Sequence, residues 1–169
     1  MEGINGSKNC ILSAEAVKRK LRRMAFQIAE ANADEESIII AGIAGNGTIL
    51  AQKIIGELKQ IFDIPVDLIT IELTKKNPVD AVIQEQIDLS GKIIIVVDDV
   101  ANTGRTLLYA LRPLLKFLPK KIQTLVLVER SHKLFAVQPD YVGLSIATTL
   151  QEHIIVETES GEITGAWLQ

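Results

Sequence analysis

The sequence predicts an α/β fold, with a central, mainly parallel sheet flanked by helices on both faces. Three observations carry this expectation. Short apolar runs recur near residues 37–41, 65–71, 93–98 and 122–128, and the run Ile93 to Val97 is continuously apolar. Such a run marks a strand covered on both faces, as in a parallel sheet under helices. Amphipathic segments alternate with the runs, the pattern of layered α/β domains. Aromatic residues make up only 4% of the chain while Ile, Leu and Val dominate, which suits a parallel sheet better than an aromatic-rich sandwich.

Length and composition bound the rest. A chain of 169 residues is read as a single domain over 1–169 with a substantial core. A net charge of −3 gives no general attraction to nucleic acid or anionic membrane. No apolar run is long enough to span a bilayer, and MEGINGSKNC lacks the basic-then-apolar pattern of a signal peptide. Cys10 is the sole cysteine, so no intrachain disulfide exists, and a cytoplasmic location is expected.

In chain order, residues 1–11 read as a mobile arm. Ser13 is the candidate N-cap of a helix running to about Ala31. Val17, Leu21, Met24, Ala25 and Ile28 form its apolar stripe, and Lys18, Arg19, Lys20, Arg22 and Arg23 cover much of the remainder. That basic face reads first as a solvated surface, with an RNA-contacting or dimer-facing patch as the sharper alternative. The strand at 37–41 ends in Gly42-Ile-Ala-Gly-Asn-Gly47, followed by a helix over about Thr48–Gln60. The spacing G-x-x-G-x-G differs from the dinucleotide fingerprint, so no Rossmann site is assigned. Glycines between strand and helix suit close approach of an anion or a tight chain reversal. After the strand Pro65–Ile71, the stretch Glu72–Gly91 reads as a hairpin or a shortened flexible lid, with Lys75 and Lys76 its only cations.

The chemistry concentrates in Lys92–Leu111, KIIIVVDDVANTGRTLLYAL. A buried strand ends in Asp98 and Asp99, placed at a strand end outside the core. A polar loop then leads to a helix with Leu107, Leu108, Leu111, Leu114 and Leu115 at helical spacing. Ligands in open α/β sheets sit at the carboxyl ends of strands. A loop of small and hydroxylated residues opening a helix turns N–H groups towards an anion. Thr103 and Thr106 add hydroxyl donors, and Gly104 permits close approach. The two carboxylates accept hydrogen bonds from hydroxyls at the other end. A phosphate near a vicinal diol fits both ends, which describes a ribose 5-phosphate. Further on, Glu129-Arg-Ser-His-Lys133 lies at the end of the strand Ile122–Val128 and borders the same crevice. His132 there is read either as orienting a base or phosphate or as a surface residue. Ile154–Val156 is a final short strand, and Gly161–Gln169, with Trp167, is a tail without assigned packing.

The string VVDDVANTGRT resembles the phosphoribosyl-pyrophosphate (PRPP) signature of the type I phosphoribosyltransferases. Within them the chain is similar to the bifunctional pyrimidine-operon attenuator/uracil phosphoribosyltransferase family. AVKRKLRRMA, AGIAGNGTILA and LVERSHKLFAVQPDYVG extend the likeness from about Ile11 to about Val156, apart from the segment around 73–90. The resemblance implies a phosphoribosyltransferase that binds PRPP and moves its phosphoribosyl group to a nucleobase, a pyrimidine such as uracil, with release of pyrophosphate. It implies that Asp98 and Asp99 hold the ribose hydroxyls and that Ala101, Asn102, Thr103, Gly104, Arg105 and Thr106 hold the 5-phosphate. Ala44, Gly45, Asn46 and Gly47 match the pyrophosphate loop, although the family commonly has a basic residue where Asn46 stands. Arg130 and His132 belong to the substrate side of the crevice. Mg²⁺ is expected to come bound mainly through PRPP, with no dedicated protein ligands. Enzymes for 6-oxopurines place a carboxylate where Asn102 stands, so the amide counts against a purine base. A homodimer is also implied. The alternative reading is a weakly active or silent PRPP- or nucleotide-sensing regulator of pyrimidine genes that binds RNA. Against RNA contact, positions that read Thr and His in the attenuator family are Arg22 and Phe26 here.

Overall fold

The computed structural model describes residues 8–74 and 76–169. Its main body is a six-stranded sheet of order β4-β3-β2-β5-β6-β7. These strands are β2 (Ile38–Ile43), β3 (Val66–Thr74), β4 (Asn77–Ile83), β5 (Ile93–Ala101), β6 (Lys121–Arg130) and β7 (Tyr141–Ile146). All neighbours pair in parallel except the β3–β4 hairpin. The continuous apolar run in β5 has the cause expected of it. Ile93, Ile95 and Val97 pack into one buried cluster, while Ile94 and Val96 pack into the other on the opposite face.

Helices α1 (Ala14–Ala31) and α2 (Asn46–Ile61) cover the first face. Ser13 caps α1 by accepting the Ala16 N–H at 3.2 Å, and Val17, Leu21, Met24, Ala25 and Ile28 are its buried side. At the other end the Asn32 amide bonds the Ile28 carbonyl at 2.9 Å, which closes the last turn. Truncating a residue as fully enclosed as Ile28 to alanine costs about 2–5 kcal/mol. The second face carries α3 (Arg105–Leu111) and a 3₁₀ turn at Arg112–Lys116. Pro113 near the start of that turn agrees with the break from α-helical winding.

Several boundaries differ from the sequence expectation. Residues 9–11 are not part of an arm: β1 (Asn9–Ser13) pairs antiparallel with β9 (Glu162–Leu168), which in turn pairs with β8 (Ile154–Glu159). Residues 1–7 of the expected arm lie outside the described residues, and Lys8 pairs with Glu157 of β8. The supposed tail is therefore the central strand of a second, three-stranded sheet, and its Ile163 and Ala166 are buried in the main core. Strand β5 continues through Val100 and Ala101, so the loop before α3 is only Asn102–Gly104. Strand β6 likewise continues through Glu129 and Arg130.

Of the two readings of residues 72–91, the structure shows the hairpin. Strand β4 forms an edge of the sheet, and Arg112 ties it to the α3 side by donating to the Val79 carbonyl at 2.8 Å. Gln84 N–H bonds the Thr70 carbonyl at 3.0 Å, and Glu85 accepts the Thr70 N–H at 2.8 Å. Lys76 is exposed at its turn, and Lys75 lies outside the described residues.

Candidate functional site

Two adjoining cavities open at the carboxyl end of the parallel strands. The first, about 270 Å³, is walled by Asn46, Asp99, the continuous stretch Val100–Leu107 and Ile154–Val156 of β8. The second, about 410 Å³, is lined by Asn102, Thr103, Arg130, His132, Leu134, Thr148, Leu150 and His153. Asn102 and Thr103 belong to both, so the two form one crevice with a shared rim.

Asp98 and Asp99 differ from the expectation of an exposed strand end, because both are buried. Asp98 accepts the Asp99 N–H at 2.9 Å and stands behind the cavity wall. Asp99 faces the first cavity; its Oδ1 accepts the Val100 N–H at 2.8 Å and its Oδ2 accepts the Asn46 amide at 3.0 Å. These bonds fix the plane of the carboxylate where it borders the first cavity.

The loop Asn102–Gly104 is held from both sides. The Thr103 hydroxyl accepts the Arg105 N–H at 3.2 Å, and the Thr103 carbonyl accepts from Leu134 and Phe135, each at 3.0 Å. Gly104 has φ +83°, a left-handed conformation that costs other residues energy. A Cβ there would also lie 3.4 Å from the Phe135 carbonyl oxygen. Below the loop, Lys133 and Glu129 form a buried ion pair.

Of Ala44–Gly47, only Asn46 borders the first cavity. Ala44 N–H extends the pairing with β3 by bonding the Ile71 carbonyl at 2.9 Å. Gly45 supplies the turn at φ +97°, and Gly47 is buried where α2 meets β5. Asn46 makes three hydrogen bonds of its own: to Asp99, to the Val156 carbonyl at 3.0 Å, and from the Thr158 hydroxyl at 3.2 Å.

Arg130 and His132 fall in the second cavity rather than the first. Arg130 ties down the segment after β7, donating to the Glu152 carbonyl at 2.7 Å and the Thr149 carbonyl at 3.5 Å. Glu152 completes that tie by accepting the Thr149 N–H at 2.7 Å. This bond, then the Thr149 hydroxyl and the Arg130 charge, hold its carboxyl below the usual value of 4.5. Leu134, Thr148, Leu150 and His153 were missed from the sequence. The available signal was that His153 is one of only two histidines. No group of three or more His, Cys, Asp or Glu among the described residues is arranged to hold a metal ion.

Three of the five cations on the basic face of α1 have partners among the described residues, and the two ion pairs among them are exposed. Arg19 pairs with Glu15, Arg22 with Glu57, and Arg23 donates to the Val142 and Gly143 carbonyls at 2.8 and 3.0 Å. No helix among the described residues is long and apolar enough to cross a membrane.

Known proteins resemble this chain in sequence and in fold. A family model described as the phosphoribosyl transferase domain matches residues 7–160. A relative from Haemophilus ducreyi, named "Bifunctional protein PyrR", is 38% identical over 159 residues, covering 88% of this chain and 89% of its own. A protein named "Bifunctional protein pyrR" from Enterococcus faecalis is 35% identical over 161 residues, 90% of each chain. Among solved structures, the hypoxanthine phosphoribosyltransferase of Trypanosoma cruzi superposes with a TM-score of 0.78 at 16% identity, covering 93% of this chain and 95% of that one. A hypoxanthine-guanine phosphoribosyltransferase from Bacillus anthracis gives 0.72 at 19% identity, covering 87% and 85%. At such low identities the structural likeness speaks for the fold.

Proposed function

The chain belongs to the phosphoribosyltransferase family, and from that premise we propose that it moves the phosphoribosyl group of PRPP to a pyrimidine such as uracil. The observation that carries this reading is the shared rim. One cavity joins a buried carboxylate, Asp99, to the loop Ala101–Thr106, and the second opens from the same Asn102 and Thr103. The first suits a ribose 5-phosphate, with its diol at Asp99 and its phosphate at the loop. The second suits the nucleobase, among Leu134, Leu150 and the two histidines. A uracil ring nitrogen then attacks C1, the bond from C1 to the pyrophosphate oxygen breaks, and the nitrogen's proton passes to solvent. Positive charge develops on the ribose, next to Asp99, so the protein acts by positioning and by preorganised charge.

Asn102 is a neutral amide and cannot accept a proton from the base, which supports a pyrimidine over a 6-oxopurine. The family generally uses Mg²⁺ with PRPP. The donor set here fits an ion held chiefly by diphosphate oxygens and water, and that ion would supply charge compensation to the leaving group. The chain is proposed to work as a homodimer in the cytoplasm.

One observation favours a second reading, a nucleotide-sensing regulator with weak catalysis. Where a cation is common in the family, Asn46 carries no charge, and it is bonded to Asp99. Arg22 and Phe26, at positions that read Thr and His in the attenuator family, weigh against the RNA-binding part of that reading. PRPP consumption measured against a panel of free bases tests the proposal. Uracil-dependent release of pyrophosphate is the expected result. PRPP binding without turnover on any base favours the sensor, and absence of both binding and turnover overturns both.

A further inference from the structure

Asn46 sits at a junction of three elements that are remote in the chain. It opens α2, its amide nitrogen bonds Asp99 of β5 and the Val156 carbonyl of β8, and its amide oxygen accepts the Thr158 hydroxyl. An asparagine amide has two N–H donors and one oxygen. With both donors aimed at acceptors and the oxygen at a hydroxyl, one orientation satisfies all three contacts. The flipped amide would set its oxygen against a carboxylate and a carbonyl. The Asp99 carboxylate and the Val156 carbonyl, which only accept, therefore select the orientation in which Asn46 holds Asp99, and the Thr158 hydroxyl anchors it by donating to the amide oxygen.

Thr158 itself stands outside the crevice wall. It lies where the β8–β9 register shifts between Glu157 and Thr158. Irregularities of this kind re-aim side chains beside functional sites. On the same strand, Val156 does border the first cavity. The two walls of that cavity, the end of β5 and the strand β8, are thus joined through one amide.

We infer that Asn46 and Thr158 are positioning residues for the Asp99 carboxylate, so that reception of a ribose diol depends on how the β8–β9 sheet is docked. The inference rests on the reading of Asp99 as the diol acceptor. Neither residue needs to touch the reacting atoms. Thr158 acts through Asn46, and Asn46 acts through the plane of the Asp99 carboxylate. By linkage, a ligand bound at Asp99 steadies β8 in return.

Calorimetric titration with uridine 5′-monophosphate and its 2′-deoxy counterpart tests this in the full chain. Thr158→Val removes the hydroxyl at nearly constant shape, and Thr158→Ser keeps it. The wild type should prefer the ribonucleotide. Thr158→Val should weaken ribonucleotide binding about two- to tenfold, the worth of one hydrogen bond, and shrink the ribose preference. Thr158→Ser should keep that preference. Asn46→Ser, which removes the amide while leaving every residue of β8 in place, should shrink the ribose preference as Thr158→Val does, and urea denaturation of both variants separates this from a folding defect. Equal losses on ribose and deoxyribose in both Thr158→Val and Asn46→Ser would show a merely structural role and overturn the relay. So would an intact ribose preference in both. A wild type that binds neither nucleotide, or binds both alike, would instead overturn the reading of Asp99 on which the relay stands.

Discussion

Gly47→Ala is the sharpest test of how the site is built. Gly47 is the second residue of α2 and is buried against β5. A Cβ at this position would stand 2.8 Å from the Val97 carbonyl oxygen, 3.3 Å from Asp98 Oδ1 and 3.3 Å from the Ile43 Cβ. Ordinary contact begins at 3.4 Å, so 3.4 − 2.8 = 0.6 Å must be found. Strand β5 cannot give, because it is paired on both sides, with β2 and β6. The start of α2 must therefore move. Asn46 is the adjacent residue, and its bond to Asp99 is 3.0 Å, so a shift of that size along the contact takes it out of hydrogen-bonding range. Overpacking of this kind costs about 1–3 kcal/mol of stability. Loss of a bond to a charged acceptor should lower affinity for uridine 5′-monophosphate by about tenfold or more. Gly56, exposed on the same helix, has no atom within 4 Å of its ideal Cβ, and Gly56→Ala should stabilise by about 0.8–1 kcal/mol through helix propensity. Urea denaturation and calorimetric titration of both variants decide the matter. A Gly47→Ala protein as stable as Gly56→Ala, with unchanged nucleotide affinity, would refute this account of the α2–β5 junction.

Other consequences follow from the same geometry. Asp99→Asn should weaken nucleotide binding and also cost about 1–3 kcal/mol, since one amide oxygen replaces two acceptors that serve Val100 and Asn46; unchanged affinity by calorimetry would contradict the role given to this residue. Glu152 has a depressed folded pKa, so its tie to Thr149 is complete above the ordinary value of 4.5 and is lost as pH falls through the depressed one. Protection of the Thr149 amide, taken relative to its intrinsic exchange rate, should accordingly fall as pH drops below 4.5, and unchanged protection would exclude the tie. Uracil turnover should be slow, below about 10 per second, because Asn46 brings no charge to the leaving group; steady-state assays that show faster turnover would refute this. Light scattering at micromolar concentration should show a dimer, in keeping with the exposed Leu115 and Leu118, and a monomer would exclude it.

The legible parts of the sequence were those set by local pattern. Ser13 before an amphipathic stripe gave the start of α1, because a side-chain cap and a 3.6-residue period are local properties. The isoleucine and valine run of β5 gave a strand buried on both faces, and the loop after it was found through its hydroxyl and glycine content. What escaped notice depends on pairing between distant segments. β1 and β9 lie at opposite ends of the chain, and neither Asn9–Ser13 nor Glu162–Leu168 carries a long apolar alternation. The charged Glu129-Arg130 pair sets the expected end of the strand at Val128 and leaves Arg130 in a loop. The ladder with β7 extends through it nonetheless, from Leu125 opposite Tyr141 to Arg130 opposite Ile146.

Asn46 shows why site chemistry is less legible than fold. From the sequence it was a weak substitute for a cation in an anion-binding loop. In the structure its two donors and its acceptor are committed to Asp99, Val156 and Thr158. A basic side chain at this position could pair with Asp99 and still project charge towards a pyrophosphate, but it has no oxygen to accept the Thr158 hydroxyl. The amide therefore exchanges charge in the crevice for a bond between its two walls. The consequence runs from one residue to the rate. A cavity joined in this way can hold a ribose phosphate in a defined place, while the departing pyrophosphate finds less compensation for its developing charge. Tight nucleotide binding together with slow transfer is the kinetic form that this exchange should take.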